Sequence, residues 1–209
     1  YPVVEKSMQQ SYYFTTTKTA FAWSKMALDK LGYVIDEEDA ANLTLTTQKD
    51  GLKIVVTATD IGDNASAVNV QINAEGGESR DMLESTVDSS LTEIRDELAL
   101  YQYSKSDTKM FESTPLDKAF RMAKNALVAR GYTVTISDAG KYVVAGSKSA
   151  KPVKAACLIN SMGNNGVAIE ITAYVNGKKL SESAATELAA SEVAALIKYL
   201  GRYDKLDTK

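Results

Sequence analysis

The side chains in this sequence that could do chemistry are of three kinds. Cys157 is the single thiol. A reactive thiolate needs an electropositive neighbour, and none adjoins it, so Cys157 reads as a small hydrophobe on the inward face of a strand. Asp36, Glu37, Glu38 and Asp39 are consecutive acids whose oxygens suit a hard cation such as calcium, but the EF-hand spacing and its glycine are missing. The run reads as a solvated turn. Asp60, Asp63 and Asn64 around Gly62, with Asn160, Asn164 and Asn165 around Gly163, offer loop carboxylates and amides; such residues beside a glycine ordinarily serve the turn itself. The chain has no histidine, so the commonest general base and the commonest metal ligand are both missing. No nucleophile–base pair, metal-ligand cluster or phosphate loop stands at usable spacing. The expectation is a chain with no catalytic, cofactor-binding or metal-binding residues, and not an enzyme.

These residues sit in a module written twice. Ala20-Phe21 and Gly32-Tyr33 recur as Ala119-Phe120 and Gly131-Tyr132, a period of about a hundred residues. Lys25, Ala27 and Leu28 reappear as Lys124, Ala126 and Leu127, and Asp39-Ala40 as Asp138-Ala139. The acid run is not part of the shared design, because the second copy has Thr135-Ile136-Ser137-Asp138 there.

Each copy spells the same elements. Ser11 to Thr15 suits a first strand, and Thr16-Thr17 or Ser113-Thr114-Pro115 then start a helix. Leu116, Phe120, Ala123 and Leu127 fall on one helical face, and Gly32 and Gly131 stand where a left-handed C-cap is wanted. Strands follow, from Tyr33 and Tyr132 and then through Leu43 to Thr47 and Tyr142 to Ala145. Asp50-Gly51 signals a tight hairpin, whereas the second copy uses the longer Ser149-Ala150-Lys151-Pro152 and shifts the register by two residues. With that shift Leu52, Ile54, Val56 and Ala58 match Val153, Ala155, Cys157 and Ile159 as an inward face. A last strand sets Val68, Val70 and Ile72 against Ile169, Ile171 and Ala173. A long helix closes each copy, capped near Ser79 or Ser181, with Leu83, Val87, Leu91, Ile94 and Leu98 mirrored by Ala185, Ala189, Val193, Leu196 and Leu200.

The predicted fold class is therefore α+β: two tandem two-layer modules, each strand, helix, antiparallel strands, helix, with the helices on one sheet face. The first repeat is placed at 1–101 with an N-terminal tail at 1–10, the linker at 102–108, and the second repeat at 109–209. At 209 residues and 44% hydrophobic content each module can bury its own core. A formal charge of −3 leaves no basic footprint, so nucleic acid is disfavoured as a partner. No apolar run reaches the length of a spanning helix.

The helix from Ala20 to Tyr33, the short strands and the Asp50-Gly51 turn, in tandem, resemble two known arrangements: the helix-grip domains of BamC-type and small bacterial envelope lipoproteins, and the saddle of TATA-binding protein. A saddle that kinks DNA needs basic contacts and wedge aromatics on its outer sheet face. The first sheet instead shows Thr44, Thr46, Thr57, Thr59, Asn69, Gln71 and Asn73 there. The lipoprotein resemblance implies an extracytoplasmic location, in the periplasm or at the outer membrane, with a lipid tether expected upstream of Tyr1.

The copies differ most on their outward faces. The second carries Val143, Ala145, Ala156, Leu158 and Ala168, with Tyr174 nearby, where the first is polar. These residues, with Trp23 as a further anchor, form the candidate interface for a protein partner or for self-association. The expected function is binding or scaffolding in the bacterial cell envelope through protein–protein contacts. The alternative is carriage of a small apolar ligand between helix and sheet, for which the alanine-rich final helix leaves a question of space.

Overall fold

The computed structural model describes residues 2–163, 166–177 and 180–206, and the chain divides into two compact units between Tyr101 and Gln102. The first runs β1 (Val3–Tyr13), α1 (Thr17–Lys30), β2 (Ile35–Asp39), β3 (Thr44–Lys49), β4 (Leu52–Gly62), β5 (Ala65–Glu75) and α2 (Arg80–Ala99). The second repeats it as β6 (Tyr103–Phe111), α3 (Leu116–Ala129), β7 (Thr133–Asp138), β8 (Val143–Ser147), β9 (Val153–Gly163), β10 (Gly166–Val175) and α4 (Glu182–Leu206). Each unit folds a five-stranded antiparallel sheet, ordered β1-β5-β4-β3-β2 and β6-β10-β9-β8-β7. The helices of each unit cover one face of its own sheet, as the α+β reading expects.

The inward side chains are the ones the alternation pointed to. Leu45, Ile54, Val56, Val70 and Ile72 are buried against Ala27, Leu28, Val87 and Ile94 in the first unit. Val144, Ala155, Cys157, Ile169 and Ile171 are buried against Ala123, Leu127, Ala189 and Leu196 in the second. Thr16 caps α1 by accepting from the Thr19 backbone N–H at 3.2 Å, and Ser79 caps α2 through Met82. Ser181 does the same for α4 through Ala184. Gly32 and Gly131 adopt φ of 83° and 92°. The next residues, Tyr33 and Tyr132, return backbone bonds to Leu28 and Leu127, which closes each helix and turns the chain into the following strand.

Three boundaries differ from the sequence reading. Residues 3–10 are no tail: they form most of β1, paired with β5 from Val3 opposite Glu75 to Tyr13 opposite Ala65. Residues 102–108 are no linker, because β6 begins at Tyr103. Both strands lie at a sheet edge, and their core-side positions are part charged: Lys6 in β1, and Lys105, Asp107 and Lys109 in β6. Charge is a common device for keeping an edge strand from pairing with a foreign one, and it erases the apolar alternation that would reveal the strand. The acid run forms β2, also an edge, rather than a turn.

Three of the four acids of β2 are occupied within the fold. Asp36 accepts the Gln48 N–H at 2.8 Å, and Glu38 pairs with Lys25 at 2.8 Å. Asp39 accepts from the backbone of Ala41 and Asn42, and bonds from Asn42 hold its pKa down. Asp138 accepts from Gly140 and Lys141 in the same way. That shared turn is why this aspartate recurs while the other acids do not.

Candidate functional site

The strand register settles which side chains share the outer face of the second sheet. Ala145 stands opposite Ala156, and Ala156 opposite Thr172, so one outward row crosses β8, β9 and β10. The next row sets Val143 beside Leu158 and Leu158 beside Glu170. Ala168 follows, flanked by Asn160 and Met110. Lys154 and Tyr174 pair at the other end. All six second-unit residues expected to form an interface thus share one face. They point away from α3 and α4, since the helix-packed residues are Val144, Ala155, Cys157, Ile169, Ile171 and Ala173.

Two residues that the sequence reading did not include extend this face. Met110 is 62% exposed, and Ile136 lies opposite Ala145 because a bulge between Val134 and Ile136 turns it outward. The signal was present in the repeat: Met110 and Ile136 occupy the register positions of Ser11 and Glu37. Val55, matching Ala156, and Ala67, matching Ala168, are apolar positions that the first unit's outer face shares with the second.

Trp23 does not belong to this surface. It is 9% exposed and packs in the first unit's core, edge-on to Tyr12 at 4.8 Å between ring centroids and stacked with Tyr101 at 5.8 Å. Tyr12 donates to the Leu98 carbonyl at 2.5 Å, so the aromatic cluster ties β1 to α2. Burial pushes the Tyr101 phenol up to about 12. Met122, aligned with Trp23, is likewise buried.

Cys157 is fully buried, and burial lifts its thiol to about 12. It stays protonated near neutrality and is inert as a nucleophile. Among the described residues no group of acids or cysteine is arranged to hold a metal ion. Asp60 accepts the Gly62 N–H at 2.8 Å, and Gly62, Asp63 and Asn64 all take positive φ, which is turn service. Asn160 is exposed; Asn164 and Asn165 lie outside the described residues.

The second unit also contains a charge cluster that sequence reasoning passed over. The Glu192 side chain, on α4, has no exposed surface. It accepts from the Tyr132 hydroxyl at 2.7 Å, and it pairs with Lys148 at 2.9 Å and Arg130 at 3.4 Å. Burial alone would raise the Glu192 pKa, but bonds from Tyr132 and Lys148 and the charges of Lys148 and Arg130 outweigh it, so the net direction is down. Burial first, then the bond to Glu192 and its charge, pushes the Tyr132 phenol up. Lys148 lies 4.9 Å from the centroid of the Tyr132 ring. The first unit repeats that last feature, with Lys49 4.7 Å from the Tyr33 ring, but there Tyr33 bonds Ser90. The cluster pins α4 to the end of α3 and to β8, joining residues 60 and 44 positions apart.

The carrier alternative asks for space between helices and sheet. Ala119, Ala123, Ala126, Ala155, Ala173, Ala185 and Ala189 are fully buried there, and such small side chains let helix and sheet approach closely. Two shallow depressions lie elsewhere. One of about 720 Å³ runs along the polar flank of α2 from Asp81 to Asp96, and one of about 400 Å³ surrounds the β3–β4 turn. No helix among the described residues is long and apolar enough to cross a membrane.

No protein-family model matches the chain, and no curated protein matches it in sequence. Solved structures do match. The di-domain ARO/CYC BexL from the BE-7585A biosynthetic pathway is 10% identical, with 97% of this chain and 98% of that one covered and a TM-score of 0.34. The di-domain ARO/CYC StfQ from the steffimycin biosynthetic pathway is 9% identical, with 98% and 99% covered and a TM-score of 0.36. Ara h 8.0201 matches 46% of this chain with 95% of its own, at 11% identity and a TM-score of 0.34. These matches correct one expectation: two of the full-length ones are ARO/CYC proteins of biosynthetic pathways, and the exclusion of enzymes drawn from missing motifs is dropped. They lend no support to the lipoprotein half of the sequence resemblance.

Proposed function

We propose that the chain is a binding module whose second-unit outer sheet face docks against another protein surface. The observation that carries this reading is the contrast between register-equivalent faces. Thr44, Thr46 and Thr57 stand where Val143, Ala145 and Leu158 stand in the second unit. On the same two sheets Ser11 is replaced by Met110 and Asn73 by Tyr174. Ala145 and Ala156 are already buried, while Leu158 and Met110 are 37% and 62% exposed, and apolar side chains left open in this way gain by being covered. The envelope location belongs to the same proposal, supported by the order of elements that resembles envelope lipoproteins, and cell fractionation tests it separately.

A photo-crosslinking residue at position 158, compared with one at 57, tests the docking face in cells that express the chain. Adducts from position 158 and few from 57 are expected. Equal labelling from both positions, or none from either, overturns the reading.

A further inference from the structure

We infer that the helix side of the second unit docks on the anionic headgroup surface of a lipid bilayer. This side lies across the sheet from the outer face proposed above, and its binding does not depend on that face. The formal charge of −3 conceals two oppositely charged halves. Residues 1–101 carry 8 lysines and arginines against 17 aspartates and glutamates, and residues 102–209 carry 16 against 10. At about 0.15 M salt a charge is felt over only about 8 Å, so a surface answers to the charges of its own unit rather than to the total.

Four of the second unit's cations meet on one surface. α3 and α4 run side by side and antiparallel, tied by Lys118 to Asp204 at one end and by Arg130 to Glu192 at the other. Counting inward from the first tie at equal rise, Lys124 comes abreast of Lys198, and Arg121 stands near Arg202. All four are exposed. Arg202 lies over the Tyr199 ring, and the other three make no ion pair among the described residues. The acids at this end are engaged already: Asp204 by Thr114 and Lys118, and Asp117 by the Tyr142 hydroxyl. Glu182 and Glu187 stand toward the opposite end of α4. Like charges one helix turn apart, such as Lys198 and Arg202, weaken a helix, and an anionic surface turns that cost into attraction. The first unit makes the opposite choices. Lys25, at the position of Lys124, is paired with Glu38, where the second unit has Ser137, and Asp96 stands at the position of Lys198.

Headgroups ask for exposed cations on a level surface, and each one adds about fivefold to binding. A nucleic-acid duplex takes a helix that enters its groove, whereas α3 and α4 lie flat on their sheet. A protein partner asks for an apolar centre with charge at its rim, and among the described residues of α3 and α4 Val128 is the one exposed large apolar side chain.

Co-sedimentation of the purified full chain with vesicles of phosphatidylcholine containing about one-third phosphatidylglycerol reads the binding, against vesicles of phosphatidylcholine alone. Binding to the anionic vesicles at about 0.15 M salt, weakened at about 0.5 M and missing from the neutral ones, is expected. Lys124→Gln and Lys198→Gln should each weaken it about fivefold, and the two together about twenty-five-fold. Lys198→Arg, which keeps the charge, and Lys18→Gln, at an exposed position of α1 in the first unit, should bind like the parent. Thermal unfolding checks that each variant folds, and Arg121→Gln, expected to weaken binding by the same factor, takes the place of one that does not. Equal binding to both kinds of vesicle, binding to neither, or undiminished binding by the double variant overturns the inference. So does a duplex oligonucleotide that binds at the same salt as tightly as the anionic vesicles, which would make nucleic acid the occupant.

Discussion

The first unit answers water on its outer sheet face with Thr44, Thr46, Thr57, Asn69 and Gln71, of which all but Thr46 are seen bonded among themselves or to neighbours. Thr44 and Thr57 stand 3.3 Å apart, Asn69 donates to Thr59 at 2.9 Å, and Gln71 donates to Glu5. The second unit presents Val143, Ala145 and Leu158 in the same register. Inside, the contrast runs the other way: Tyr33 meets a serine hydroxyl in the first unit, and its counterpart Tyr132 meets a buried, ion-paired glutamate in the second. One backbone therefore tolerates opposite choices on the outer face and at one buried position, while its apolar stripes stay matched. A sheet-and-helix sandwich is specified by its inward alternation, which leaves the outward positions free to diverge.

Glu192→Ser makes the second unit imitate the first at this buried position and should break the comparison most strongly. It leaves Lys148 and Arg130 without their carboxylate, a loss of about 3 kcal/mol, read as an earlier unfolding midpoint in urea. The reciprocal Ser90→Glu should also destabilise, by about 1–2 kcal/mol, because Leu31 stands where the second unit has Arg130.

Gly146→Ala comes next. A Cβ there would stand 2.6 Å from the Thr133 backbone oxygen, so β7 and β8 must separate, at about 1–3 kcal/mol. In the first unit the matching Thr47 fits and donates to the Val34 carbonyl at 2.5 Å; Thr47→Gly should cost about 1 kcal/mol through the lost bond and the freer chain. If both substitutions prove neutral by urea unfolding, the two strand pairs are interchangeable and the contrast fails.

Acid provides a further test. The folded pKa of Glu192 lies below the ordinary glutamate value of 4.5, so the stability it confers is complete above that value and lost as pH falls through the folded one. Glu192→Gln should therefore flatten the pH dependence of second-unit stability below about pH 4.5, followed by hydrogen exchange in α4. The smallest effect is expected from Leu158→Thr, which gives the outer face a first-unit side chain and should change stability by less than about 0.5 kcal/mol in urea unfolding.

Much of the fold was legible in the residues. Gly32 and Gly131 announced the helix ends because a left-handed φ leaves few choices. The stripes Leu83 to Leu98 and Ala185 to Leu200 announced the covering helices through their period. β1 and β6 were only partly legible, since Lys6, Lys105 and Asp107 occupy core-side positions that an edge strand can leave wet. Of the candidate interface, the six second-unit residues could be read from alternation once the two copies were aligned. Trp23 could not, because one helix turn does not say whether a residue at the margin of a stripe meets Tyr12 and Tyr101 or solvent.

By itself the sequence determined the duplication, the order of elements, the capping residues and the inward stripes, all encoded in short spacings that local backbone geometry reads directly. Tertiary structure decided the rest: that Ile136 joins the outer face through a bulge, that Met110 borders Ala168, and that Glu192 meets Tyr132, Lys148 and Arg130. Those meetings depend on strand register and helix docking between distant segments, where a shift of one residue reverses the face a side chain occupies. No local period carries that information.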